Sequence, residues 1–323
     1  FLLLSGGIAQ QPGDALLPSA LPQKVSATGG LTLTLESAFR AHTLKGESFA
    51  YVTFSPDGKT LATGTSDGTA RLWTLAGEPR LRVENGNMVF KVRFDASGER
   101  FLTAVYDGTA KLWGRDGKLL RTYAGHRSAV TDALFLERDA VATGSDDGAV
   151  VVFDTGGKEL ARVTQRGVAR NQAASPGGKQ LACGFDSGAV RVTDERGKVL
   201  HAFESGQGRI NDVRFSPDGK RLLTSGFDGT ARLWTLDGRP LASLAAGDGD
   251  WVYNAQFSRD GALIGAVSGT GLITLWTAEG KKLAEFRSPH GRVNSIDFSP
   301  TEDRFAVIDH NGVLLMFAYQ QAR

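Results

Sequence analysis

The chain has 323 residues, enough for two average domains or for one large β or barrel domain. It holds 41 glycines but only 10 prolines, against a usual glycine share of about 7%, which marks a turn-rich rather than a low-complexity chain. Thirty-seven basic residues against 35 acidic ones leave a net charge of +2, a balance that argues against nucleic acid as a partner and against polybasic membrane attachment. The single cysteine, Cys183, excludes an intramolecular disulfide and a zinc site built from several cysteines.

Residues 1–28 read as a tail ahead of the folded unit. FLLLSGGIAQ runs from apolar to small residues, with Gly7 and Ala9 at the −3 and −1 positions of a cleavage after Ala9. The pattern points to export, or to an N-terminal membrane anchor that continues upstream of Phe1. It therefore favours a periplasmic or lumenal location, or membrane association, over the cytoplasm. The plainer alternative is a tail packed on its own fold. Residues 10–28 carry three of the ten prolines and read as an extended connector. No run of 18 apolar residues occurs elsewhere.

From there the chain repeats itself. FSPDGKTLATGTSDGTARLW ends at Trp73, and the same frame returns to end at Trp113, Phe153, Thr193, Trp234, Trp276 and Phe317. The steps of 40, 40, 40, 41, 42 and 41 residues match a propeller blade of four strands, which runs to about 40–45 residues. Within a unit, a first strand ends in Phe54, Phe94, Phe135, Phe215, Phe257 or Phe298, with Ala174 in the fourth unit. An SPDG-like turn follows, then a second strand such as LATGT, a DG hairpin turn, a third strand such as TARLW and a fourth such as PRLRVE. The seventh unit stops before its fourth strand. The alternating segment Leu31 to Phe39 has the right pattern to supply it and close the ring. The expectation is an all-β, seven-bladed β-propeller of four-stranded antiparallel blades over residues 29–323, with no helix.

These repeats resemble those of the WD40 family, and the phrasing LWTLAG and LWTLDG is similar to repeats common in cyanobacteria and other bacteria. The resemblance covers roughly residues 29–323 and implies an interaction scaffold without naming its partner. There are departures. The family's GH dipeptide is intact only at Gly125-His126, with His42 at a comparable place in the first unit. The turn Asp is kept as Asp67, Asp107, Asp147 and Asp228, and is replaced by Ser187, Thr270 and Asn311. The family's buried His–Ser/Thr–Asp–Trp network is expected complete only in the first blade.

No catalytic constellation emerges. Gly64-Thr65-Ser66-Asp67-Gly68 matches the nucleophile-elbow pattern, but it lies in a blade hairpin and not in a strand-to-helix turn. Asp146-Asp147 reads as turn chemistry, because a calcium loop needs several more oxygen ligands. The five histidines fall in five repeats without an i,i+4 pair. Cys183 reads as a small buried hydrophobe. The expectation is a chain without catalytic activity, cofactor or metal.

Surface residues then carry the function. Six and four positions before the first-strand Phe, the repeats place Ser48, Met88, Ala129, Val168, Arg209, Trp251 and Arg292, and Ala50, Phe90, Thr131, Arg170, Asn211, Tyr253 and Asn294. These loops gather on one face around the channel. Phe90, Arg170, Arg209, Trp251, Tyr253 and Arg292 are the candidate partner-binding residues, since Trp, Tyr and Arg dominate interface energetics. The plainer reading is packing of the rim on itself. The arginines form an arc suited to an acidic partner surface. The degenerate fourth blade, with Ala174, Ser187 and Thr193 at its signature positions, reflects drift or cover by a partner. The leading reading is a protein–protein scaffold, a subunit or assembly factor of a larger bacterial complex, its tail contacting a partner or a membrane. The alternatives are an exported ligand or glycan binder stacking sugars on Trp251 and Tyr253, and a hydrolase or lyase in the channel mouth.

Overall fold

The computed structural model describes residues 24–26, 30–43, 49–165, 167–247 and 249–321. Residues 1–23, and with them the candidate cleavage or anchor segment, lie outside the described residues. Seven antiparallel sheets stand side by side around a channel. The first blade comprises Ala50–Phe54, Thr60–Thr65, Thr69–Thr74 and Pro79–Glu84, and the next five follow the same order. In the last, Val293–Phe298, Arg304–Asp309 and Val313–Gln321 are joined by Leu31–Arg40 from the other end of the chain. Closure is therefore as the alternation of residues 31–39 implies. One strand is added: Lys24–Ser26 pairs with Thr32–Thr34 as a fifth, outermost strand.

Burial falls from the channel to the rim. Every residue of Thr60–Thr65 is buried, whereas the fourth strand Pro79–Glu84 is mostly exposed, because inner strands have a neighbouring blade on both faces. The cores lie between blades. Phe39, Ile308, Leu314 and Met316 of the last blade pack with Val52, Phe54, Leu61 and Trp73 of the first. Glycines in the second strands permit this closeness. A Cβ on Gly184 would stand 2.5 Å from Ile210 of the following blade.

The buried network of the first blade is complete. Trp73 Nε1 donates to Thr63 Oγ1 at 2.9 Å, and that hydroxyl bonds His42 Nε2 at 2.7 Å. This leaves the proton on Nδ1, which lies 3.1 Å from Asp67. The third blade keeps three members, His126, Thr143 and Asp147, with Phe153 in place of Trp. Two other blades rebuild the core of the network without histidine. Asn85 accepts from Thr103 at 2.7 Å and Trp113 donates to Thr103 at 3.0 Å. Gln207 accepts from Thr224 at 2.5 Å and Trp234 donates to Thr224 at 2.8 Å. An amide oxygen replaces the imidazole acceptor at the inner end, which spacing alone did not reveal.

A short helix within the ring interrupts the all-strand expectation. Glu137–Asp139 forms a 3₁₀ turn in the third blade, where the others carry an SPDG-like turn. Asp139 takes φ +62°, the left-handed conformation that Gly58, Gly98 and Gly219 adopt in the equivalent turns, and a short polar side chain tolerates it best after glycine. Arg100 holds its carboxylate at 2.9 Å.

Two outcomes are expected. Gly184→Ala lowers stability by ~1–3 kcal/mol through overpacking against Ile210, read as a shift in the chemical-denaturation midpoint. Burial, outweighing the Asp67 carboxylate, lowers the pKa of His42 from 6.5, and burial does the same at His126. A histidine depressed in the folded state stabilises fully above its unfolded pKa, and that stability is lost as pH falls below it. The melting temperature therefore drops from pH 7 to 5.5, and His42→Gln, which copies the fifth blade, removes roughly half of that drop. An unchanged slope would refute the assignment.

Candidate functional site on the upper face

The upper face carries the loops that enter each blade and the second-to-third-strand hairpins. Six of the first strands contain a β-bulge near their entry, with Phe90, Thr131, Arg170, Asn211, Tyr253 and Asn294 as the extra residues. The bulge turns these side chains toward the channel mouth. All six line one recess of about 150 Å³, together with Phe49, Tyr51 and Arg209.

The first blade lacks the bulge: Ala50 pairs Thr65 and Tyr51 pairs Gly64 without a register shift. Counting back from Phe54 therefore misplaces its rim residues. Phe49 accepts from Ser66 N as Met88 does from Tyr106 N and Arg209 from Phe227 N, so Phe49, and not Ser48, is the equivalent of Met88 and Arg209. Ser48 lies outside the described residues, and Ala50 is a fully buried strand residue.

The structure joins five of the six candidate side chains into one stripe. Arg170 approaches Asp146 at 3.8 Å. Burial, then the charge of Arg170, lowers the pKa of Arg209, and both arginines line the recess. Each has a buried Nε without a hydrogen-bond partner. The Arg209 guanidinium lies over Phe227 at 4.7 Å, and Phe227 stacks on Trp251 at 4.0 Å with an interplanar angle of 6°. Trp251 meets Tyr253 edge-on at 6.1 Å, and Arg292 lies over Tyr253 at 5.8 Å. Trp251 nevertheless remains 39% exposed. Phe90 belongs to a second aromatic group across the mouth, with Phe49 at 5.9 Å and Tyr106, itself 52% exposed, at 6.1 Å. Phe227 and Tyr106 escaped the reading from sequence because they precede the third strand, and only folding brings that hairpin beside the loop of the next blade.

Below the mouth, the channel holds a buried charge network that the rim positions did not disclose. Asp132 accepts from Lys91 at 3.1 Å and from Arg93 at 3.4 Å. Asp212 pairs with Arg214 at 3.2 Å and with Lys91 at 3.7 Å, and accepts from Asn171 and Asn254. Asp297 accepts from Phe54 N at 2.8 Å and Thr53 Oγ1 at 3.0 Å. Tyr51 Oη bonds Arg214 at 3.1 Å. Burial lowers the Lys91 pKa to about 8 despite both aspartates, and pushes Tyr51 up to about 12. Burial also raises Asp212 and Asp297, whereas Lys91 and Arg93 overcome burial to hold Asp132 low. Charged residues inside buried strands, KVRF and INDVRF, were the available signal. Among the described residues, no group of three or more His, Cys, Asp or Glu is arranged to hold a metal ion. Burial keeps the Cys183 thiol protonated.

Seven such blades define a repeat propeller, and comparison with known proteins agrees. The family model for the WD domain, G-beta repeat, matches residues 35–74, 80–114, 117–154 and 197–235. An uncharacterised WD repeat-containing protein of Synechocystis is 43% identical over 226 residues, covering 69% of this chain and 67% of that protein. A second Synechocystis WD repeat-containing protein is 42% identical over 81 residues, 25% of each chain. Human WD repeat-containing protein 86 is 51% identical over 49 residues, 15% of this chain and 13% of that one. The chain belongs to the WD-repeat family. Propellers of this family generally mediate protein–protein interactions and are typically not enzymes.

The channel network generates a test. Lys91→Met leaves Asp132 and Asp212 short of a counter-charge and costs about 3–5 kcal/mol in unfolding free energy, as loss of one partner from a buried pair does. Adding Asp132→Asn recovers part of that loss; a single and a double variant of equal stability would show the network to be energetically uncoupled.

Proposed function

We propose that the upper face is a docking platform for an acidic segment of a partner protein, and that the chain serves as a non-enzymatic subunit or assembly factor of a larger bacterial complex. The observation that carries this is the stripe from Arg170 through Arg209, Phe227, Trp251 and Tyr253 to Arg292. It offers an exposed indole stacked on Phe227, with Arg209 over the same Phe227 and Arg170 lining the same recess as Arg209. A carboxylate docking at the recess that both arginines line forms charge-assisted hydrogen bonds with their guanidiniums and offsets their mutual repulsion. The aromatics supply area at small entropy cost because they are already held in place. Phe90 and Tyr106 extend the contact across the mouth.

The reading extends to location. The apolar-to-small pattern of residues 1–9 supports export or membrane attachment on the export side, with the tail contacting a partner or a membrane. Removing residues 1–23 while keeping the strand at Lys24–Ser26 is expected to release the protein from the membrane fraction.

Native purification in mild detergent, followed by quantitative mass spectrometry, tests the platform. Wild type retains a stoichiometric partner. Trp251→Ala and Arg209→Glu each weaken retention at least about tenfold, and binding falls with added salt. Retention by both variants at the wild-type level refutes the platform. Quenching of Trp251 fluorescence by sugars, with no partner retained, would favour the glycan-binding alternative.

A further inference from the structure

The upper recess restricts the partner by shape as well as by charge. Every one of the seven first strands contributes to its lining, from Tyr51 in the first blade to Asn294 in the last, so it opens on the axis of the ring. Its floor is closed. Tyr51 and Lys91 line it and also belong to the charge network below. In that network Tyr51, Asp132 and Asp212 are buried. A chain entering from the upper face therefore meets a filled channel and has no way through the ring.

The lining combines three chemistries. It contains three cations, Lys91, Arg170 and Arg209, and no carboxylate. Asp132 and Asp212 already hold Lys91, at 3.1 and 3.7 Å, which leaves the two arginines for an incoming anion. Asn211 Nδ2 donates to Val252 O at 3.0 Å, so the remaining capacity of that amide is its oxygen, an acceptor. Phe49, Phe90 and Tyr253 supply apolar wall. The volume of about 150 Å³ falls below the range of about 300–1,000 Å³ typical of small-molecule sites, and suits the end of a larger ligand.

We propose that the recess receives the C-terminal residue of the partner segment, with its terminal carboxylate at Arg170 and Arg209. This inference rests on the platform reading above and specifies which acidic group that platform takes. A blind recess on the axis admits a chain end head-on. A segment crossing the face as a strand or helix keeps its backbone above the rim. A terminal residue brings a carboxylate, a peptide N–H and a side chain, which match the arginines, the Asn211 oxygen and the aromatic wall. An aspartate or glutamate side chain brings acceptors alone and leaves the Asn211 oxygen without a donor. Capture of a terminal carboxylate is a recurring mode of peptide recognition, and guanidinium forks fit its planar geometry.

Calorimetric titration of the full chain with three probes tests the proposal: acetyl-glycyl-phenylalanine, its C-terminal amide, and acetyl-aspartyl-phenylalanine amide, which moves the carboxylate to a side chain. The free acid is expected to bind saturably and at least about tenfold more tightly than either amide, because charge-assisted hydrogen bonds are lost in both. In excess it displaces the partner retained in native purification, and the amides do not. Arg170→Gln and Arg209→Gln each remove most of the preference for the free acid, with the melting temperature of each variant checking the fold. Equal binding of acid and amide, tighter binding of the aspartyl probe, or no saturable binding of the free acid overturns the inference. Wild-type retention of the partner, lost in Trp251→Ala, then leaves the platform itself standing.

Discussion

Everything in this structure depends on the pairing of Leu31–Arg40 with Val313–Gln321. Each blade buries its faces only against its neighbours, so an open arc of blades would leave two sheet faces in water. The closing strand runs from Leu31 opposite Gln321 to Arg40 opposite Val313, and it places Phe39 against Trp73 of the first blade at 5.5 Å. It also leads directly into His42, whose network with Thr63, Asp67 and Trp73 fastens the first blade at the seam. The point of greatest topological need thus carries the only complete copy of that network among the described residues. Other blades, already flanked by covalently continuous neighbours, manage with Asn85, Gln207 or His126.

A ring held rigid in this way orders side chains that have no reason to be ordered alone. Trp251 stacks on Phe227 yet stays 39% exposed, and Arg170 and Arg209 line one recess although their charges repel. The channel beneath is stiffened by Lys91, Arg93 and Arg214 set against Asp132, Asp212 and Asp297. Three cations stand against three anions there and tie the inner strands of several blades together. The two faces differ in make-up: the upper face is built on bulged first strands, and the lower mouth is lined by Ala174 where the other repeats carry Phe.

The fourth blade shows how a repeat keeps its fold after losing repeat character. The family model passes over residues 155–196, yet the blade folds in register with its neighbours. Backbone pairing and the surrounding cores carry its shape, through Leu181, Phe185 and Val192. What changes is the side-chain filling at the lower mouth, where Ala174 stands in place of Phe.

The repeat itself was legible in the chain. A 40–42-residue period, a DG, SG, TG or NG turn before each third strand and the alternating segment 31–39 determined blade number, strand order and closure, because each reflects local chemistry repeated at a fixed spacing. The rim candidates were legible as positions, since loops of equal length end in equivalent places. What only the tertiary structure decided involves neighbours distant in sequence. The absent bulge moved the first-blade rim residue to Phe49. Phe227 and Tyr106 joined the face from the neighbouring hairpin. Charges on four different blades met in the channel. Spacing records what a residue does within its own repeat; contacts between repeats depend on how the ring brings them together.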